Sequence, residues 1–461
     1  MDKMSAKEIC SAVGGRIISK ETDVYACDIC INSKDAKKGD LFVPIIGEKT
    51  DGHKYIKDAT AIGSSIYFTS DASISNIDGA CGIYVEETVK ALQKLAIYYR
   101  TRYTLPIIGV TGSVGKTTTR EMTATALSAG KKVYKTKKNL NSQIGVPMTI
   151  LGLDSSYDIA VVEMGVSMFH EMEHHAYVVK PNAAIVTNIG YAHIENLHSI
   201  EHIMEEKLKI AMYMKTTEHL ILNGDDKMLS TYEREDVNVL RYYIEKHGQI
   251  AAHSRDIYAT NIIYDELYNA HFDAIIYDEK VHVDLSIPGE HQISNALAAL
   301  SCCYLYGVDL EKAASMLHEY KAFDHREKIF KVGDVTIIDD TYNASPASMK
   351  AALEILTKMK CSGRRVAVLA DMKELGEDEI SLHEDIGHYI NENVKVDILM
   401  TYGKLAKSIS NIAQVDSKYH FDDKDELDEA VAKLLHPEDI VLFKGSNSMR
   451  LFDSVDKMLL L

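Results

Sequence analysis

Ile107-Ile-Gly-Val-Thr-Gly-Ser-Val-Gly-Lys-Thr-Thr-Thr119 decides how the rest of the chain is read. The apolar run over residues 105–110 predicts a short buried strand. It breaks into a glycine-bearing turn, Gly112 to Gly115, after which Lys116 and Thr117 open a helical pattern that continues over residues 120–128. Strand, glycine turn and helix N-terminus together make a phosphate cradle. Glycines let backbone N–H groups approach phosphates, and the helix dipole favours negative charge there. In that cradle Lys116 reaches the outer phosphates and the Thr117 hydroxyl sits on magnesium, with Ser113, Val114 and Thr118 completing the loop. The position of the first glycine in a full Walker A motif is Val110, so what remains is T-G-x-x-G-K-T. The plainer alternative is a glycine-rich turn before an ordinary helix. The strand before and the helix after favour phosphate.

A chain of 461 residues is too long for a single core, and its length suggests about three domains. Hydrophobic residues at 46% and charged residues at 26% place it among soluble globular proteins. The formal charge of −17 argues against a general nucleic-acid or anionic-membrane surface, while leaving room for a nucleotide in one local basic cleft. Seven cysteines, an odd number, do not read as a disulfide framework. Cys27 and Cys30 form a C-x-x-C without a second pair at zinc spacing, and Cys302-Cys303 fall in an apolar helix. Reduced thiols in a cytosol are the reading. The N-terminus MDKMSAKEIC has no long apolar region and no stretch reaches the length of a membrane span, so the protein is expected in the cytoplasm.

Outward from the loop, residues 1–98 alternate short strands and helices. Strands are expected at residues 40–47, 66–69 and 82–85, and helices opening at Asp51-Gly-His-Lys-Tyr55 and spanning 88–101. His53 reads as a turn or cap residue. On the other side, Lys135-Thr-Lys-Lys-Asn-Leu-Asn-Ser-Gln-Ile-Gly-Val-Pro147 is either a solvated loop or one that grips phosphates or a carboxylate. Asp158-Ile-Ala-Val-Val-Glu163 follows as a buried strand ending in an acid, the Walker B logic of a carboxylate beside the phosphate loop. Ala183-Ala-Ile-Val-Thr-Asn188 is another buried strand, and it delivers His193. A lone histidine there is usually structural. Next to a phosphate loop it becomes a candidate ligand for a second metal. A helix capped by Ser199 runs to residue 214, and its charges (Glu201, Glu205, Glu206, Lys207, Lys209) read as a solvated face with i,i+4 pairs.

Short strands are expected within residues 220–288, then an apolar helix over 296–306 and a charged connection over 320–328. The last third is another α/β unit with strands at 335–339, 365–370, 397–401 and 439–443, each ending in a polar or glycine turn. Ligands bind at such carboxyl ends in open parallel sheets, so this unit reads as a second nucleotide or substrate platform.

The motifs TGSVGKTTT, NLNSQIGVP, VVEMG, NIGYAHIE, GEHQISNALAA, DDTYNASPASM, ADMKELG and KGSNSM occur in that order. Together they resemble the Mur ligases of peptidoglycan synthesis over essentially the whole chain. Residues 139–147, 339–349 and 371–376 point within that family to the addition of a dipeptide. The resemblance implies an α/β fold in three domains: a small N-terminal UDP-binding unit (1–98), a central P-loop ATPase-like parallel sheet with helices (99–320), and a C-terminal Rossmann-like unit (321–461). It implies ATP and Mg2+ as cofactors, UDP-N-acetylmuramoyl-tripeptide and D-alanyl-D-alanine as substrates, and a monomer. Residue by residue, Lys116 and Thr117 match the phosphate lysine and the magnesium hydroxyl. Glu163 matches the metal-bridging acid, His193 the second-metal ligand, and Lys207 the carbamylated lysine. His291 and Asn295 match the adenine-side motif, Arg326 the arginine at the entry to the last domain, and Asp340, Tyr342 and Asn343 the ribose-side loop. Gly112, Ser113, Val114, Gly115 and Thr118 complete the phosphate loop, and Asn139 and Asn141 belong to the substrate side.

Three positions depart from the family pattern. The uridine motif Asp-Ser-Arg is Asn32-Ser33-Lys34 here, and Lys34 meets a phosphate as a point charge without arginine's planar fork. Asn447 replaces an arginine in KGSN, and His325 stands where glycine often precedes the arginine. The implied chemistry passes through an acyl phosphate and needs no side-chain nucleophile, which fits a chain with no convincing Ser–His–Asp or Cys–His set. The rival within the fold is a folylpolyglutamate synthase-like ligase, against which stands the N-terminal unit ahead of the phosphate loop. A P-loop switch protein is the rival from another class, and it has no use for a second-metal set.

Overall fold

The computed structural model describes all residues except 21, 75, 246–255, 324, 460 and 461. The segment 246–255 within the short-strand region, and residue 324 within the charged connection, therefore lie outside the described residues.

A nine-stranded sheet carries the centre of the molecule, in the order Glu279–Pro288, Asn269–Ile276, Ile257–Tyr264, Asn238–Ile244, His219–Asn223, Ala183–Val186, Ile107–Thr111, Ile159–Glu163, Val133–Lys135. Strands from Ile257–Tyr264 to Val133–Lys135 run parallel; Asn269–Ile276 runs antiparallel to them, and Glu279–Pro288 pairs antiparallel with it in turn. The phosphate-loop strand lies between Ala183–Val186 and Ile159–Glu163, and every one of its residues is buried. Such a strand, covered on both faces, needs a continuous apolar run and not an alternating one. Ile108 and Val110 point to the layer of Met122, Ala126, Leu127 and the helix His291–Leu305, while Ile107 joins the opposite core. A Cβ on Gly109 would come 3.0 Å from Met164 Sδ, so the second face closes tightly on the strand.

The N-terminal sheet has five strands in the order Arg16–Ile17, Cys81–Tyr84, Ile66–Thr69, Asp40–Phe42, Asp28–Cys30. Helix Thr88–Arg100 connects it to the centre. Its Leu92, Leu95 and Tyr99 make one continuous core with both units, and Tyr99 Oη donates to Leu153 O at 2.6 Å. The strand expected over 40–47 stops at Phe42. Pro44 supplies no backbone donor, and Ile46 is exposed beyond it. His53 is a buried turn residue: its Nδ1 bonds Asp51 at 2.6 Å and its Nε2 accepts from Ser70 N at 2.9 Å.

The C-terminal sheet has six strands in the order Lys328–Val332, Val335–Asp340, Ile440–Lys444, Arg365–Ala370, Ile398–Tyr402, Ser417–Phe421, all parallel except the first. The two edge strands escape a reading based on apolar runs, because an edge is half solvated and tolerates Lys, Ser and His. All seven cysteines are free thiols. No helix among the described residues is long and apolar enough to cross a membrane.

Candidate active site

The phosphate loop leaves its strand at Thr111 and enters the helix Lys116–Leu127 through Gly115, whose φ is +83°. Gly112, at φ +148°, could carry no side chain, since a Cβ would lie 1.9 Å from Thr187 Oγ1. Asn188 holds the turn: its backbone carbonyl accepts from Ser113 N at 3.0 Å, and its side-chain oxygen accepts from Val114 N at 2.9 Å. The strand expected over 183–188 ends at Val186, which leaves Asn188 free for these bonds.

Glu163 ends the neighbouring strand with its carboxylate against the start of that helix. Its Oε1 accepts from Asn141 Nδ2 at 2.6 Å and lies 3.3 Å from the Thr117 hydroxyl; its Oε2 accepts from Arg120 Nη1 at 2.9 Å. Arg120 is fully buried and also donates to Lys138 O at 2.8 Å, so it ties the acid to the 135–147 loop. It was missed in the sequence, although its place four residues after Lys116 sets it on the same helical face. Lys116 Nζ donates to Gly112 O at 2.7 Å. Burial, reinforced by Arg326, lowers its pKa against the pull of Glu163.

These groups open into one cavity of about 340 Å³ that the C-terminal unit closes from the other side. Ser113, Val114, Gly115, Lys116, Thr117, Thr118, Asn139, Asn141, Glu163 and His193 face it from the centre. His291 and Asn295 come from the helix His291–Leu305, and Arg326, Asp340, Tyr342 and Asn343 from beyond it. Asn295 Oδ1 accepts from Thr119 Oγ1 at 2.8 Å, joining the two helices beside the loop. The Arg326 guanidinium lies 3.7 Å from the centre of the Tyr342 ring, and its Nε is buried without a partner. His291 Nε2 pairs with Glu327 at 2.8 Å. Burial would lower this imidazole's pKa, but Glu327 outweighs burial and the net shift is upward. Lys444, buried, pairs with Asp340 and donates to Asn343 O at 3.1 Å. Burial nevertheless leaves Asp340 with a raised pKa. Glu327 and Lys444 are further lining residues with no role assigned from the sequence, although Lys444 opens the KGSNSM motif.

Lys207 corrects an expectation. The helix Ile200–Leu208 is capped by Ser199, whose hydroxyl accepts from His202 N at 3.1 Å, but its charged residues do not all face solvent. Glu206 is 1% exposed and Lys207 0%. Glu206 accepts from Met172 N and Lys209 Nζ, whereas the Lys207 amine has no hydrogen-bond partner among the described residues. Burial first, then the charge of Lys116, push the Lys207 pKa well below that of an ordinary lysine. Lys207 does not line the cavity itself. It is buried within electrostatic reach of Lys116.

Gly112, at the start of the loop, is outside the lining, and Ser33 and Lys34 lie elsewhere. They form a short turn, Ser33–Asp35, in the N-terminal unit, where Asn32 Oδ1 accepts from Lys34 N at 3.2 Å. Among the described residues no three His, Cys, Asp or Glu side chains gather closely enough to hold a metal ion by themselves. The hard oxygens of Thr117 and Glu163 do suit a magnesium ion held mainly through nucleotide phosphates.

A glycine turn at a helix N-terminus, an acid beside it and a second α/β unit across one cleft define a nucleotide-using enzyme with two substrate sides. Three family models match: "Mur ligase family, catalytic domain" over residues 28–100, "Mur ligase middle domain" over 110–303, and "Mur ligase, glutamate ligase domain" over 325–447. The chain belongs to the Mur ligase family. It is 32% identical to the UDP-N-acetylmuramoyl-tripeptide–D-alanyl-D-alanine ligase of Bacillus subtilis, over 100% of this chain and 99% of that one. The fold matches MurF from Acinetobacter baumannii at a TM-score of 0.90 with 26% identity and all of both chains covered. It matches MurF ligase from Thermotoga maritima in complex with ADP at 0.81 with 28% identity, over 94% of this chain and 96% of that one.

Proposed function

We propose that the chain is an ATP-dependent ligase that joins D-alanyl-D-alanine to UDP-N-acetylmuramoyl-tripeptide through an acyl phosphate, releasing ADP and phosphate, in the cytoplasmic assembly of peptidoglycan precursors. The observation that carries this reading is the single cavity lined on one side by a phosphate loop and on the other by strand ends of the C-terminal sheet. One side takes the nucleotide, and the other brings the incoming dipeptide to it.

In this reading residues 1–98 hold the UDP-sugar, with Ser33 and Lys34 at the nucleotide; residues 99–320 hold ATP; and residues 321–461 close over it with the dipeptide, all within a monomer. Gly112 to Thr118 cradle the phosphates and Lys116 offsets charge on the phosphoryl group as the tripeptide carboxylate attacks it. His291, Asn295, Arg326, Asp340, Tyr342 and Asn343 hold the nucleoside. Asn139 and Asn141 position the tripeptide end. A magnesium ion held there would supply neutralisation of the charge that develops on the phosphates. Thr117 and Glu163 would hold one ion, with His193 and Lys207 serving a second.

Lys207 can serve only after its neutral amine adds to CO2, forming an N–C bond, losing a proton and leaving a carbamate anion. The buried amine without a partner suits that addition, because only the neutral form is nucleophilic. The test is a coupled ADP-release assay with D-alanyl-D-alanine and UDP-tripeptides ending in either diaminopimelate or lysine. ADP release that depends on the dipeptide is the expected result. Glutamate-dependent amide formation on a folate, with no turnover of either muramoyl substrate, overturns the reading.

A further inference from the structure

Five carboxylates line the cavity, and four are already committed. Glu163 accepts from Arg120, Asn141 and Thr117; Glu171 accepts from the backbone of Ser167 and Met168; Glu327 is shared by His291 and Gln292; Asp340 is paired with Lys444. The fifth, Glu374, is different. Its side chain is 55% exposed, and it meets His193 Nδ1 at 2.5 Å across the cleft.

The backbone on both sides is built for that meeting. Glu374 and His193 both sit in the left-handed region, at φ +64° and +63°. Non-glycine residues rarely stay there unless their surroundings hold them, and such residues cluster at functional sites. Gly376, also left-handed at φ +61°, packs so closely that a Cβ would lie 3.2 Å from Glu195 Cα. The loop after strand Arg365–Ala370 is thus docked on the segment that carries His193. Its root is fixed as well: Asp371, 2% exposed, accepts from Leu405 N and Ala406 N through Oδ1, and its backbone carbonyl accepts from Ser446 N. Three strand ends of the C-terminal sheet therefore position one acid at the border between the units.

In the ligase reading, the acyl group forms on the phosphate-loop side and the acceptor arrives with the C-terminal unit. An α-amine with a pKa of about 8 arrives mostly as an ammonium ion at neutral pH. A partly exposed carboxylate at that border, with one imidazole as its polar contact among the described residues, matches that charge.

We infer that Glu374 is the specificity residue that receives the ammonium group of the incoming dipeptide, exchanging its contact with His193 for one with the substrate. The inference rests on the ligase reading above and adds the residue that recognises the acceptor's amine. Its opposing charge concentrates the correct end of a zwitterion at the reacting centre and disfavours acceptors that present a carboxylate there.

The test compares D-alanyl-D-alanine with propionyl-D-alanine, the same molecule without the amine, which binds as an inhibitor and cannot react. Glu374→Gln keeps the shape and removes the charge. It should raise the KM for the dipeptide roughly ten-fold or more, as expected for loss of a charge-assisted contact. The inhibition constant of propionyl-D-alanine and the KM for ATP should stay within about two-fold, and Glu374→Asp should recover part of the loss. An unchanged dipeptide KM overturns the inference, as does equal weakening of dipeptide and analogue, which marks a residue that only helps the units close. If the wild-type protein releases no ADP with the dipeptide, the ligase reading itself fails and this inference falls with it.

Discussion

At the scale of the residue, Lys207 shows how far environment departs from composition. In the sequence it is one charge among five on a helix, and such a charge is worth tenths of a kcal/mol. In the fold its amine is fully buried and unpaired, and its pKa is lowered. Between that lowered value and about 10.4 the unfolded chain binds a proton that the folded chain does not, so stability rises with pH through this window. In CO2-free buffer, where the amine stays free, Lys207→Met should therefore raise Tm at neutral pH and flatten the rise of Tm with pH; a lowered Tm there would count against the buried neutral amine. Lys207→Ala should lose most ligase activity at saturating magnesium while keeping its affinity for ATP, and a small carboxylate such as formate should restore part of the turnover. Activity near wild type would make Lys207 merely a buried lysine. Lys116 gives the complementary case. Its ammonium spans the loop to Gly112 O and sits where phosphate oxygens would displace that carbonyl. Lys116→Ala should abolish ADP release and keep an unaltered far-UV circular dichroism spectrum; turnover near wild type would remove the phosphate loop from the mechanism.

At the scale of the element, the helix Ile200–Leu208 depends on its first turn. Ser199, extended at φ −148°, caps it through its hydroxyl, and the helix holds Glu206 and Lys207 inside the core. Ser199→Ala should cost about 1 kcal/mol, seen as a lower urea midpoint at unchanged slope, and Ser199→Asp should recover it. The cap was legible from the sequence because capping is local: a serine directly before a periodic run is sufficient signal. The phosphate-loop strand, the Glu163 strand and the parallel C-terminal strands were legible for a similar reason, since a strand covered on both faces declares itself as an apolar run. The edges Lys328–Val332 and Ser417–Phe421 did not, because half their surface faces water. The burial of Lys207 and the meeting of His193 with Glu374 were illegible for another reason. Each depends on which element packs against which, over a separation that no spacing rule reaches.

At the scale of the whole molecule, a joint between the centre and the C-terminal unit lies at the turn before strand Asn269–Ile276, where Tyr268 O accepts from Gly289 N at 3.0 Å, two residues before the cavity-lining His291. Tyr268 leaves the central unit there and is buried among Ala352, Leu353 and Leu356 of the C-terminal helix Pro346–Lys358. Its hydroxyl donates to Glu354 at 2.8 Å, and its ring lies 4.5 Å from that of Tyr264. The nearby Lys360–Glu266 ion pair is exposed and adds little. Backbone pairing is more durable, with Lys360 N donating to Glu266 O at 2.8 Å. The apolar contact of Tyr268 thus helps to hold the two units in register, and His193 and Glu374 face each other across the cleft. Removing the ring should loosen the joint without touching the phosphate loop. Tyr268→Ala should lower kcat at saturating substrates and weaken ADP, because in the ligase reading Arg326, Asp340, Tyr342 and Asn343 of the C-terminal unit hold its nucleoside. Small-angle scattering should show a larger radius of gyration for the variant, and Tyr268→Phe, which keeps the ring and loses only one hydrogen bond, should stay close to wild type in both respects. Unchanged scattering together with unchanged kcat in the alanine variant would show that the units are held by other contacts and that this turn is not the joint.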